Sequence, residues 1–163
     1  MARALLVGCG CCAREAGGLL LQRGWSVRGT SRLPEGLAAI AGAGIEPVRA
    51  DPDRVGSIVS LLGDITVLAW LPGGAIEDAA VLATVNGERL GSLLEKLVDT
   101  PVRGLVYEAR SGLDGGASDP GAALVADAGQ RWRIPTRIVD ADRADPSRWA
   151  AAVADAVEGV LGL

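Results

Sequence analysis

The chain has 163 residues, a length that fits one domain spanning residues 1–163 and suffices for a self-contained core. About half of it is apolar, yet it holds no Phe, one Tyr and four Trp, so the core must be aliphatic. The net charge of −4 is spread among interspersed acids and bases, and no apolar run approaches the roughly 18 residues of a membrane span, so neither a nucleic-acid surface nor a bilayer-spanning helix is expected.

Strand-like and helix-like segments alternate, the pattern of a parallel sheet covered by helices on both faces. Ala4 to Val7 reads as a first strand and Cys12 to Arg23 as a helix, with Gly24 at its C-terminal stop. Trp25 to Thr30 makes a second strand, and Pro34 opens a helix that ends near Gly42–Gly44. Ile45 to Arg49 is the third strand, after which Asp51-Pro52-Asp53 is expected to start a helix. The continuous apolar run Ile65 to Trp70 is a central fourth strand. A long helical stretch follows from Ile76 to Val98, with a break expected at Asn86-Gly87. Gly104 to Glu108 is strand five, and residues Ser111 to Ser118 form a glycine-rich loop. Asp119-Pro120 starts a helix through Trp132, and Pro135 to Val139 is strand six. Asp145 and Pro146 open the last helix, whose apolar stripe (Trp149, Ala152, Val153, Ala156, Val157, Val160, Leu161) should pack on the sheet. The opening MARALLVGCG has one charge and too short an apolar run for a signal peptide, so a cytoplasmic location is expected.

The first strand runs into Gly8-x-Gly10-x-x-Ala13 and then a helix. Gly8 permits the tight turn, Gly10 lets backbone approach a pyrophosphate, and Ala13 keeps the helix close to the sheet. Backbone N–H groups of Cys9, Cys11 and Cys12 then face the phosphates at a helix N-terminus. A site selective for NAD carries an acid at the end of strand two, but this chain has Thr30-Ser31-Arg32. Arg32 suits a 2′-phosphate, with Thr30 and Ser31 donating beside it, so NADP is expected in preference to NAD; the bland alternative is a solvated arginine. Asp51 reads either as an adenine contact or as a helix cap. Ala69, Trp70 and Leu71 are expected to border the nucleotide, with Trp70 walling the nicotinamide side of the cleft.

Taken as one unit, GCGCCAREAGGLLLQRGWSVRGTSR resembles the atypical short-chain dehydrogenase/reductase family, its epimerase/dehydratase-like members in particular. IEPVRADPDR, DITVLAW, VNGERLGSLLEKL and GLVYEARSGLDG extend the resemblance over most of the chain. It implies a doubly wound α/β Rossmann-like sheet of about six strands in the order 3-2-1-4-5-6. Redox-active members use a Ser or Thr after strand five and a Tyr-x-x-x-Lys on the next helix, and here no Tyr or Lys follows strand five. The resemblance therefore implies an NADP-binding protein that acts as a nucleotide sensor or as a divergent oxidoreductase. The other readings are a dimerising or partner-binding module that has lost its ligand, and a thiol switch at the cysteine loop.

The chain has no His, so chemistry falls to the loops after strands four and five. Glu108 is a candidate base and Arg110 a candidate anion clamp, with Ser111 and Asp114 beside them and Glu77 and Asp78 after the Gly73-Gly74 loop; a salt-bridged loop is the bland alternative. Cys9, Cys11 and Cys12 lack the further ligands a zinc site needs, so no metal is expected. They are either small residues suited to a tight turn or thiols activated by the helix start.

Overall fold

The computed structural model describes residues 2–74, 76, 78–109 and 119–163. Six parallel strands stand in the order β3-β2-β1-β4-β5-β6: β1 Arg3–Val7, β2 Ser26–Ser31, β3 Glu46–Arg49, β4 Val67–Trp70, β5 Gly104–Glu108 and β6 Thr136–Val139. This is the doubly wound α/β sheet that the alternation of elements implied. The central strands β1, β4 and β5 are apolar at almost every position because both faces of the sheet are covered.

Each face builds its own core. Ala4, Leu6, Val67, Ala69 and Val106 point to one side, where α1 (Cys11–Gln22) and α7 (Pro146–Gly159) pack. Leu5, Val7, Leu68, Trp70, Leu105 and Tyr107 point to the other, under α3 (Val55–Val59), the helical run that includes α4 (Ala79–Thr84) and α5 (Leu90–Leu97), and α6 (Pro120–Trp132). The remaining helix, α2, spans Pro34–Gly42. Helix α1 buries Ala13, Ala16, Gly17 and Leu20, one stripe at helical spacing. A Cβ on Gly17 would overlap the side chain of Ile45, so that glycine sets how closely α1 lies to the sheet.

Four expectations change. The Asp51-Pro52-Asp53 cluster does not cap α3: Arg54 takes the N-cap position without a side-chain bond, and Asp51 accepts instead from the Asp53 N–H at 2.9 Å. No break occurs at Asn86-Gly87. The helix continues through a π-helical turn, Val85–Arg89, into α5, because burial of Val85, Leu90, Leu93, Leu94 and Leu97 outweighs the glycine penalty of about 1 kcal/mol. That helical run begins at Ala79 behind an Asp78 cap rather than at Ile76. Finally, α7 packs along α1 as well as on the sheet, so Ala150 and Ala154 are buried while Ala152, Ala156 and Leu161 are only half-buried. The expected glycine-rich loop after strand five lies outside the described residues.

Candidate functional site

The β1–α1 loop is held by the end of β2. Gly8 has φ +83°, and its N–H donates to the Thr30 hydroxyl at 3.1 Å. Cys9 N–H donates to the Thr30 carbonyl at 3.1 Å, and Gly10 N–H to the Gly8 carbonyl at 2.8 Å. Gly10 is the N-cap of α1 in extended backbone, and the first turn contains no acid. Among the described residues no side chain caps the helix start, with its partial positive charge.

This loop borders a cleft of about 170 Å³ at the C-terminal ends of β1 and β2, lined by Gly8, Cys9, Gly10, Thr30, Ser31 and Arg32 among others. Ligands of open α/β sheets bind at such strand ends. Sequence reasoning missed the other wall residues: Arg14, Leu33, Gly36, Ala50, Pro52 and Ile76. Arg14 was within reach of a sequence argument, since it lies one turn beyond Gly10 on the same helix. The rest enter only through tertiary placement.

The expected cofactor residues divide by where they lie. Cys11 is exposed and Cys12 half-buried on the first turn of α1, while Ala13 is buried against the sheet as its small size implied. Thr30 is 1% exposed in the cleft lining, and its hydroxyl accepts from Gly8, which braces the loop from below. Ser31 accepts from Leu33 N–H at 3.2 Å and so organises the turn into α2. Arg32 is exposed at the cleft. Asp51 lies in an adjoining hollow rather than in the cleft itself. Ala69 and Leu71 are buried. Trp70 requires correction: it is fully buried and its indole N–H donates to Asn86 Oδ1 at 3.0 Å, which makes it core and not a cleft wall.

A second hollow lies at the ends of β4, β5 and β6, lined by Gly73, Asn86, Glu108, Asp142 and Arg143 among others. Glu108 is buried there and fully engaged. Its Oε2 accepts from Arg143 Nε at 2.6 Å and from Trp149 Nε1 at 2.9 Å, and its Oε1 accepts from Arg143 Nη2 at 2.9 Å. Arg143 also stacks 4.2 Å above the Trp149 ring. Glu108 thus forms a bidentate ion pair with Arg143, and both of its oxygens accept hydrogen bonds. Arg110, Ser111, Asp114 and Glu77 lie outside the described residues. Tyr107 donates to Asp119 at 3.0 Å, and the same carboxylate caps α6. Among the described residues no cluster of His, Cys, Asp and Glu could hold a metal ion, and no helix is long and apolar enough to cross a membrane.

The three thiols differ in environment. Burial pushes the Cys9 thiol up to about 12, opposed by the nearby Arg14 charge. Folded and unfolded chains thus keep Cys9 protonated below the ordinary thiol value near 9. Above it the unfolded chain alone loses the proton, so stability is expected to fall as pH rises from 9 towards 12. Urea midpoints across that range should show the decline, and Cys9→Ala should flatten it. At pH 8, iodoacetamide should label exposed Cys11 first and Cys9 last, as peptide mass spectrometry will reveal.

No protein-family model matches the chain, and no curated protein does. Solved structures do. A short-chain dehydrogenase from Mycobacterium smegmatis is 14% identical with a TM-score of 0.71, over 96% of this chain and 85% of that one. The UDP-glucuronic acid 4-epimerase of Bacillus cereus in complex with NAD is 18% identical, TM-score 0.66, over 83% of this chain and 54% of the epimerase. The same enzyme with UDP-glucuronic acid and NAD gives 19% identity and a TM-score of 0.64, over 83% of this chain and 55% of that one. This chain spans about half the length of those epimerases. Fold and glycine loop together define a Rossmann-type α/β protein. At these identities the likeness to dehydrogenases and epimerases is one of fold.

Proposed function

We propose that this chain binds NADP in the cleft between the β1–α1 loop and the end of β2, and that it works as a nucleotide-responsive domain. The observation that carries this reading is the start of α1: an N-terminus with no side-chain cap and no first-turn acid, opening on a cleft whose far side bears Arg32 where an NAD site would place a carboxylate. The residues present fit the cofactor. The N–H of Cys9, expected to face the phosphates, is bonded to the Thr30 carbonyl, and those of Gly8 and Gly10 are likewise bonded, to the Thr30 hydroxyl and the Gly8 carbonyl. These three would therefore shape the turn around the pyrophosphate. The N–H groups of Cys11, Cys12 and Ala13 at the helix start would meet it, with Arg14 adding positive charge, and Ser31 and Arg32 would face the 2′-phosphate.

When bound, NADP supplies hydride chemistry. Two features favour sensing over catalysis. Helix α6, which follows strand five, carries neither Tyr nor Lys, and Glu108 at the end of strand five is held by Arg143 and Trp149.

Titration of the reduced protein with NADPH and NADH, by calorimetry or by tryptophan-to-nicotinamide energy transfer, tests the reading. NADPH is expected to bind in the micromolar range and NADH at least about tenfold more weakly, the worth of one charge-assisted hydrogen bond. Gly10→Val should abolish both, since Gly10 has φ −79° and its backbone tolerates a side chain that would intrude on the phosphate. A wild-type protein that binds neither nucleotide would reduce the glycine turn to architecture and leave a partner-binding module. Steady NADPH consumption with a carbonyl substrate would restore the oxidoreductase.

A further inference from the structure

We infer that Arg49 and Arg54 join Arg32 in a three-arginine seat for a phosphate monoester carried on the ribose of the bound nucleotide, an inference that rests on the nucleotide reading above. Strands β2 and β3 pair in parallel with Ser31 opposite Arg49, so the two strand ends finish level. Arg32 is the first residue past β2, Arg49 the last of β3, and Arg54 stands just before α3. Together with Ala50, Asp51 and Ser57 they line a hollow of about 360 Å³. Arg32 and Ala50 also line the cleft beside the β1–α1 loop, so the two spaces adjoin.

The hollow carries an excess of positive charge, with Arg32, Arg49 and Arg54 against Asp51. Arg3, Arg23, Arg28, Arg89, Arg131 and Arg143 each sit on a carboxylate. The side chains of Arg49 and Arg54 have no hydrogen bond or ion pair among the described residues. Three guanidinium groups face one carboxylate, Asp51, whose Oδ1 already accepts from Asp53 N–H. Asp53 is drawn outward by Arg89 at 3.0 Å. The floor is fixed: the Ser57 hydroxyl accepts from Asp51 N–H and lies 2.7 Å from the Arg54 carbonyl and 3.0 Å from the Asp51 carbonyl. That hydroxyl is occupied by backbone, which leaves the guanidinium groups of Arg49 and Arg54 as donors. A phosphate monoester is close to dianionic at neutral pH and offers three acceptor oxygens, a chemistry matched by several guanidinium forks and poorly matched by a ribose hydroxyl.

The test compares NADPH and NADH affinities for the wild type, Arg32→Gln, and the double variant Arg49→Gln/Arg54→Gln, at 50 and 300 mM salt, with 2′,5′-ADP and 5′-AMP as fragments. Arg49 and Arg54 are both exposed, so circular dichroism should report an unchanged fold. The expected result is a roughly tenfold loss of NADPH and 2′,5′-ADP affinity in the double variant, smaller at high salt, with NADH and 5′-AMP held within about twofold. Unchanged NADPH affinity in the double variant, alongside a loss in Arg32→Gln, would overturn the seat and leave the NADP reading standing. Equal losses for NADPH and NADH would overturn it as general electrostatics. A wild type that binds neither nucleotide would remove the nucleotide reading itself, and the seat with it.

Discussion

Gly8→Ala is expected to destabilise the protein by about 2–6 kcal/mol, a large loss for the addition of one carbon, because two independent costs meet at this position. Gly8 has φ +83°, a left-handed conformation that costs a non-glycine residue about 1–3 kcal/mol. A Cβ there would also lie 2.6 Å from the Leu71 carbonyl oxygen and 2.7 Å from the Pro72 Cα, contacts with backbone that cannot rotate away, and overpacking of this kind costs about a further 1–3 kcal/mol. Urea unfolding gives the number. Gly18→Ala is the control: a Cβ there meets nothing within 4 Å and the position is mid-helix, so it should stabilise by about 0.5–1 kcal/mol. If Gly8→Ala were as stable as the wild type, the turn out of β1 would not have this geometry.

Arg143→Ala should cost about 2–4 kcal/mol by removing the partner of a buried carboxylate. Glu108 would keep only the Trp149 N–H as a donor, and an uncompensated buried charge is among the costliest single defects. Partial solvent access to Arg143, whose side chain is 25% exposed, keeps the figure below that of a fully enclosed pair. Glu108→Gln/Arg143→Met removes both charges while retaining an acceptor for Trp149, and is expected to recover most of the loss. A double-mutant cycle reads this directly: coupling of about 2 kcal/mol supports the ion pair, and additive effects would show that the two residues act independently. Because Arg143 Nη2 also reaches the Leu71 carbonyl at 3.4 Å, the variant should loosen the loop after β4 as well.

The legible parts of the chain were those encoded locally. Strand β5 and helix α6 fall on their expected residues because an apolar run and an Asp-Pro start are signals contained within a few positions. The same holds for Asp145 and Pro146 at the head of α7, and for Gly8 and Gly10 between β1 and α1. Asn86-Gly87 misled because a glycine penalty is weak beside the burial of a leucine-rich face. Asp51-Pro52-Asp53 misled because an Asx turn and a helix cap draw on the same residue types.

By itself, the sequence determined the succession of strands and helices, the glycine turn, and the absence of an acid after β2, all properties of short contiguous segments. Only the tertiary structure decided that Trp70 closes on Asn86, that Thr30 braces Gly8 from 22 residues away, and that Glu108 meets Arg143 from 35 residues away. It also decided that Arg49 and Arg54 share a hollow with Arg32. The physical reason is the same in each case. These contacts join the ends of different strands, and which ends meet depends on the lateral order of the sheet, set when helices on both faces bury their apolar stripes together.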